Sequence, residues 1–176
     1  MAMSSSYHEV YLRQWANKIK HPVFSIDYRL APLAKYPENL HDCIKAYFWI
    51  LQFCESVAKA NVNKVILIGD SAGGGLAAAL TIWLIENRQR VPDQLLLCYS
   101  CVGLQINEFK RSFMFGLKDR LLHYSAMLAV HDMYLPQNVD EETDYYISPV
   151  LSPEEVLKSF PKTRFYTCMQ DPLCDD

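Results

Sequence analysis

The stretch Val65-Ile-Leu-Ile-Gly-Asp-Ser-Ala-Gly-Gly-Gly75 decides the fold class of this 176-residue chain. Its β-branched beginning predicts a buried strand, and the Ala/Leu-rich residues that follow predict a helix to about Asn87. The turn between them, Gly69-x-Ser71-x-Gly73, matches the G-x-S-x-G pattern of a nucleophile elbow. Such a turn pushes a weakly nucleophilic serine hydroxyl clear of the backbone, where a base can activate it.

The spacing of this turn has a steric explanation. A sharp strand-to-helix turn strains the backbone of the serine, so glycine is expected two positions to either side, at Gly69 and Gly73. The helix begins under the reacting carbonyl, where the N–H of Ala72 is predicted to stabilise an oxyanion. Two alternatives stay open: a glycine-rich turn that only permits close packing, and a phosphate-binding loop at 73–75. The loop lacks the Gly-Lys-Ser/Thr of a P-loop.

Strand and helix patterns alternate along the rest of the chain. Apolar periodicity predicts three further helices, at 11–19, 37–58 and 121–134. Short apolar runs predict three further strands, at 22–26, 94–99 and 165–169. This alternation indicates parallel βαβ crossovers, so the sequence predicts an α/β fold with a mostly parallel sheet flanked by helices, in one domain over 1–176.

Composition and charge exclude several classes of protein. Hydrophobic residues make up 51% and charged residues 21%, as in soluble domains, so the chain is neither disordered nor fibrous. The net charge of -3 offers no cationic surface for nucleic acid or for an anionic membrane. No apolar run is long enough for a transmembrane segment, and no secretory signal is recognisable, so a cytoplasmic location is expected.

The six cysteines are expected to be free thiols in a reducing compartment. Cys98-x-x-Cys101 lacks a second pair at a spacing suited to zinc, and it closes a strand instead of opening a helix as a thioredoxin-like motif does. The sequence therefore predicts neither a metal site nor a cofactor.

Three further motifs accompany the elbow in a fixed order: Asp27-Tyr-Arg-Leu-Ala-Pro32 before it, then Ser148-Pro-Val-Leu-Ser152 and Asp171-Pro-Leu-Cys-Asp175 after it. Together with Gly69-Asp-Ser-Ala-Gly-Gly74, they resemble the hormone-sensitive lipase branch of the α/β-hydrolases over nearly the whole chain. The resemblance implies a serine carboxylester hydrolase that cleaves acylglycerols, sterol esters or related lipid esters through an acyl-enzyme in lipid catabolism. It also implies a cytosolic enzyme that works at lipid-droplet surfaces.

The resemblance assigns roles to individual residues. Ser71 corresponds to the nucleophile, and Asp70 and Gly74 belong to its elbow together with Gly69 and Gly73. Asp171 corresponds to the acid that orients the catalytic histidine, and it follows a predicted strand, as the order Ser…Asp…His requires. Without the resemblance, the sequence around Asp171 favours a loop-capping residue before a proline over a catalytic acid. Asp175 and Asp176 are lower-ranked alternatives for the acid.

Two parts of the family's machinery are missing from these residues. No His-Gly-Gly-Gly loop precedes the elbow, and all five histidines (His8, His21, His41, His123 and His131) precede Asp171. Surface or capping roles are expected for them. We therefore expect a partial α/β-hydrolase fold that lacks the first strands and the last strand and helix, as in an internal fragment that is inactive alone. The alternative is a catalytically inactive, truncated hydrolase-like module that binds a lipid or a protein partner.

Overall fold

The computed structural model describes residues 4–105 and 110–175. The chain divides into two units, Met1–Asn63 and Lys64–Asp176. One domain over residues 1–176 stays a prediction.

Two helices build the first unit, α1 (Ser5–Ile19) and α2 (Glu38–Ala58), and both predicted helices are thereby confirmed. Each helix ends at a lysine with left-handed backbone dihedrals, whose N–H bonds back to the last turn. The apolar residues that α2 buries lie seven positions apart and so share one face of the helix: Leu40, Tyr47 and Cys54.

The motif at 27–32 holds both of these helices. The carboxylate of Asp27 accepts hydrogen bonds from the backbone N–H (2.6 Å) and the hydroxyl (2.7 Å) of Ser5, at the first turn of α1. The guanidinium of Arg29 donates two bonds of 2.8 Å to the carboxylate of Asp42 on α2. The hydrogen bonds from Ser5 lower the pKa of Asp27, and those from Arg29 lower the pKa of Asp42 to about 2.

The predicted strand at 22–26 is wrong. These residues form no ladder with any described part of the chain, and the side chain of Val23 is exposed. A strand exists only through hydrogen bonds to a neighbouring strand, and an apolar, β-branched run shows suitability for a sheet without supplying that neighbour.

The second unit contains the sheet of the described chain. Three strands, β1 (Ile66–Asp70), β2 (Gln94–Cys98) and β3 (Lys162–Tyr166), pair in parallel in the order β1-β2-β3, with Gly69 opposite Leu97 and Leu97 opposite Phe165. The α-helices of this unit are α3 (Ala72–Glu86), α4 (Phe113–Gly116), α5 (Tyr124–Tyr134) and α6 (Glu154–Lys158), and Pro149–Leu151 forms a 3-10 turn. This arrangement confirms the predicted α/β class and the parallel sheet.

Helix α3 is the centre of the core. Ala77 and Ala78 pack against Leu95 and Leu97 of β2, and small side chains on the helix allow the close approach. Because side chains alternate along a strand, only one face of β1 contributes to this core. Ile66 and Ile68 point to the other face and are 54% and 46% exposed, so β1 is half-buried where the sequence predicts a buried strand.

Helix α5 starts three residues later than predicted, and strand β3 both starts and ends three residues earlier than predicted. Helix α5 starts at Tyr124 because the carboxylate of Asp119 accepts bonds from Leu121 and Leu122 and holds them in a turn. Strand β3 ends at Tyr166, before the predicted end at residue 169. Apolar periodicity does not predict the start of α5 or the end of β3, since a capping carboxylate and the end of a ladder depend on particular hydrogen bonds.

Candidate active site

The backbone of Ser71 is strained at the junction of β1 and α3. Its dihedral angles are φ 52° and ψ −121°, a left-handed value that a residue with a side chain rarely adopts. The residue is partly exposed, and its hydroxyl bonds to no other described residue. The sharp strand-to-helix turn expected of a nucleophile elbow is therefore present.

Four backbone hydrogen bonds hold this turn. The N–H of Ser71 donates to the carbonyl of Cys98 over 2.9 Å. The carbonyl of Ser71 accepts from Gly74 (3.0 Å), Cys101 (3.1 Å) and Gly75 (3.4 Å). Both peptide groups of the strained residue are thus fixed, partly by its own helix and partly by the chain that follows β2.

The glycines of the turn are not equally constrained. A Cβ on Gly69 would overlap the carbonyl of Gly73, as the strained-turn argument predicts. A Cβ on Gly73 would meet nothing closer than the Asp70 carboxylate at 3.9 Å, so the steric reason given for glycine there is wrong. The tight positions that the spacing did not reveal are Gly74, which faces the Ser100 side chain, and Gly75, which faces the carbonyl of Cys101.

Ala72 is the first residue of α3, a helix of 15 residues. Its N–H belongs to the first turn, where backbone donors have no partner within the helix, and it has no acceptor among the described residues. The positive end of the helix dipole lies at the same place. This N–H is therefore suited to an oxyanion on a substrate bound beside Ser71.

Asp171 follows β3, five residues after Tyr166. It is partly exposed, and one carboxylate oxygen accepts a 2.9 Å bond from the N–H of Leu173, so the residue does cap its own loop. The other oxygen has no partner among the described residues. Because β1 and β3 run parallel on either side of β2, Ser71 and Asp171 follow strand ends at the same edge of the sheet, at strands about 10 Å apart.

A small cavity of about 30 Å³ lies at this edge, between the ends of β2 and β3. Asp171 lines it together with Tyr99, Ser100 and Cys168, and apolar side chains such as Leu173 complete the wall. No hydrogen bond between Ser71 and Asp171 is found in the described chain. The structure thus brings both residues to one edge without joining them directly.

The alternative acids are in a different position. A carboxylate oxygen of Asp175 accepts a 2.8 Å bond from the N–H of Ser112, whose hydroxyl donates to the carbonyl of Pro172. Asp175 therefore fastens the loop to a distant part of the chain. Asp176 lies outside the described residues.

The histidines have the expected surface or capping roles except His131, whose side chain is half-buried. His123 is the N-cap of α5 and accepts from the N–H of Ser125, and His131 pairs with Glu141. His8 bonds to the hydroxyl of Tyr11. His21 and His41 are exposed.

The motif at 148–152 has a structural role. The buried hydroxyl of Ser148 accepts from the N–H of Leu104 (3.1 Å) and donates to the carbonyl of Glu141 (3.2 Å). The N–H of Val150 donates to the carbonyl of Val102 over 3.0 Å. The motif therefore fastens the chain that leaves β2, on the same segment that contacts Ser71.

All six cysteines are free thiols in the structure. Burial raises the pKa of Cys98, and burial raises that of Cys43 to about 12, which leaves both thiols protonated at neutral pH. In the described ranges, no three His, Cys, Asp or Glu side chains form a group that could hold a metal ion. Nor does any helix there have the length and apolarity needed to cross a membrane.

A model of the alpha/beta hydrolase fold matches residues 1–176. The chain belongs to the α/β-hydrolase fold family. Hormone-sensitive lipase of Mus musculus is 33% identical to this α/β-hydrolase-fold chain over 144 residues, which are 82% of the chain and 19% of the lipase. Acetyl esterase of Salmonella enteritidis is 29% identical over 171 residues, or 96% of the chain and 51% of the esterase. The resemblance drawn from the sequence motifs is confirmed.

Solved hydrolase structures agree. The hyperthermophilic esterase of Pyrobaculum calidifontis superimposes with a TM-score of 0.89 at 28% identity, over 98% of this chain and 54% of the esterase. An ester-hydrolase from the metagenome of Lake Arreo, complexed with a derivative of bipyridine phosphonate, superimposes with a TM-score of 0.88 at 29% identity, over 98% of this chain and 53% of that hydrolase. The chain thus spans about half of these hydrolases and about a fifth of the lipase, in agreement with a partial fold.

Proposed function

We propose that these residues carry the nucleophile and the acid of a serine carboxylester hydrolase. The observation that carries the proposal is the strained, partly exposed Ser71 at the first turn of a helix, with the N–H of Ala72 beside it. Similarity to a lipase and to esterases supports the same chemistry.

The reaction proceeds in two steps. The Ser71 oxygen forms a bond to the ester carbonyl carbon while its proton passes to a histidine base, and the bond to the alcohol breaks as the alcohol takes that proton. A water molecule then gives a proton to the histidine and bonds to the acyl carbon, the bond to the Ser71 oxygen breaks as that oxygen takes the proton, and the carboxylic acid is released. Asp171 orients the histidine and stabilises the imidazolium, and the N–H of Ala72 holds the oxyanion in both steps.

The histidine comes from outside these 176 residues, because none of the five in the sequence follows Asp171. We therefore expect the isolated 176-residue polypeptide to show little turnover, since loss of a triad member costs on the order of 10⁴ in rate. No metal or organic cofactor takes part in this proposal.

The substrates we propose are acylglycerols, sterol esters or related lipid esters, cleaved in lipid catabolism at cytosolic lipid droplets. Similarity to proteins named hormone-sensitive lipase supports this choice over short esters. The similarity to acetyl esterase favours short esters instead, because it extends over nearly the whole of this chain and that enzyme is named for a short acyl group.

A fluorophosphonate probe tests the catalytic assignment on the complete natural polypeptide that carries these residues. Ser71→Ala should abolish both labelling and ester hydrolysis. Ser159→Ala is the matched control, since Ser159 is exposed and bonds only within its own helix. Labelling and hydrolysis that survive in Ser71→Ala would refute the proposal.

A second candidate function is a non-catalytic module that binds a lipid or a protein partner. The observation that favours it is the Asp171 carboxylate, which caps its own loop through Leu173 and so has a structural reason to be there. The same labelling decides between the two, because a binding module leaves Ser71 unlabelled in the unsubstituted protein.

A further inference from the structure

Five described residues other than glycine have positive φ angles, and two of them stand apart. Lys20, Lys59 and Arg88 lie at the ends of helices, where left-handed residues are usual. The other two are Ser71 (φ 52°) and Tyr99 (φ 37°), and each directly follows a strand at the same edge of the sheet. Backbone strain of this kind tends to collect at functional sites.

The hydrogen bonds around Tyr99 describe a bulge. In a regular parallel ladder, the N–H and C=O of one residue bond to residues two positions apart on the neighbouring strand. Ser71 instead bonds to Cys98 and Cys101, which are three positions apart. One extra residue is therefore inserted opposite Ser71, as in the β-bulges that re-aim side chains beside active sites.

The bulge contacts the ends of both strands that lead to the proposed catalytic residues. The N–H of Tyr99 donates to the carbonyl of Tyr166 at the end of β3 over 2.6 Å. Ser100 lies against Gly74, and its hydroxyl donates over 3.3 Å to the carbonyl of Cys98 that also receives the Ser71 N–H. One short segment thus fixes the place of the elbow relative to the strand that leads to Asp171.

Tyr99 lines the cavity that Asp171 also lines, and the residue is 40% exposed. A glycine at position 99 would adopt the left-handed backbone without strain. The presence of a large aromatic residue at a strained position is explained if its ring is needed at this place.

We propose that Tyr99 is a positioning residue of the hydrolytic site, whose ring forms the wall between the Ser71 elbow and the Asp171 loop. This inference rests on the proposed function. The ring restricts the Asp171 loop on one side while the bulge holds Ser71 on the other, so acid and nucleophile keep a fixed separation. Small errors in such a separation are costly in rate.

The test compares Tyr99→Gly, Tyr99→Phe and Ser71→Ala in the complete natural polypeptide, with p-nitrophenyl butyrate as the probe. Tyr99→Gly should lower kcat by roughly 10–100-fold, leave KM within about threefold, and leave the melting temperature unchanged or higher. Tyr99→Phe keeps the ring and should keep kcat within about threefold of the unsubstituted protein.

Each contrary result has a definite meaning. If Tyr99→Gly hydrolyses at the unsubstituted rate, or if Tyr99→Phe loses as much kcat as Tyr99→Gly, the ring is not the positioning element and the inference is overturned. If Tyr99→Gly loses activity only together with a lower melting temperature, the role is structural and the inference fails as well. Hydrolysis that persists in Ser71→Ala overturns the proposed function instead.

Discussion

At Gly69 and Gly73, two glycines of one motif experience different surroundings. A side chain on Gly69 would enter the carbonyl of Gly73, which is backbone and cannot rotate away. At Gly73 the nearest atom to a Cβ is the Asp70 carboxylate, in ordinary contact. The motif spacing is therefore a steric requirement on one side of Ser71 and not on the other.

This difference predicts unequal effects of alanine. Gly69→Ala should destabilise the fold by about 2–4 kcal/mol, because relieving the overlap requires the turn to move. Gly73→Ala should change the free energy of unfolding by less than about 1 kcal/mol, and helix propensity at the first turn of α3 favours it slightly. Urea unfolding of both variants measures this. Equal destabilisation by the two would contradict the geometry of the turn.

At the scale of elements, sequence predicts what is local and misses what depends on distant hydrogen bonds. The elbow and α3 follow from residues adjacent in sequence, and both are found where they are expected. The segment 22–26 has the composition of a strand but no described neighbour. The bulge at Tyr99 is formed by the hydrogen bonds of Cys98 and Cys101 to Ser71, which lies almost 30 positions earlier in the chain. Because these bonds join distant residues, the sequence shows only a Cys-x-x-Cys pattern there.

The Arg29–Asp42 pair makes the stability of the first unit depend on pH. Because the pKa of Asp42 is lowered to about 2, the unfolded chain binds more protons than the folded one between about pH 2 and 4. The pair's contribution to the stability of the folded chain is present above about pH 4 and is lost as the pH falls through about 2. The pair is partly exposed, so solvent screening keeps its contribution to the free energy of unfolding small.

Asp42→Asn tests this dependence. The variant should be less stable at pH 6 and should lose less stability than the unsubstituted chain between pH 4 and 2. Thermal unfolding followed by circular dichroism at several pH values measures both effects. Glu55→Gln, an exposed residue near the other end of α2, is the control for loss of a carboxylate outside the pair. A parallel fall of stability in Asp42→Asn and the unsubstituted chain would contradict the assignment.

At the scale of the whole molecule, the sheet of the described chain is small and incompletely covered. β1 and β3 are its outer strands, and each has one edge without a strand partner among the described residues. Ile66 and Ile68 expose apolar surface on β1, and Phe165 and Tyr166 do so on β3. Exposed edges with apolar side chains favour pairing with other chains.

The isolated 176-residue polypeptide is therefore expected to self-associate through the outer strands. Light scattering after size exclusion should show a mass that rises with protein concentration. Ile68→Lys places a charge on the exposed face of β1 without changing its buried face, and it should shift the distribution toward the monomer. Leu157→Lys is the matched control, because Leu157 is a similarly exposed apolar residue on α6 and belongs to neither outer strand. A monomeric unsubstituted chain at all concentrations, or equal effects of the two lysines, would show that the strand edges do not drive association.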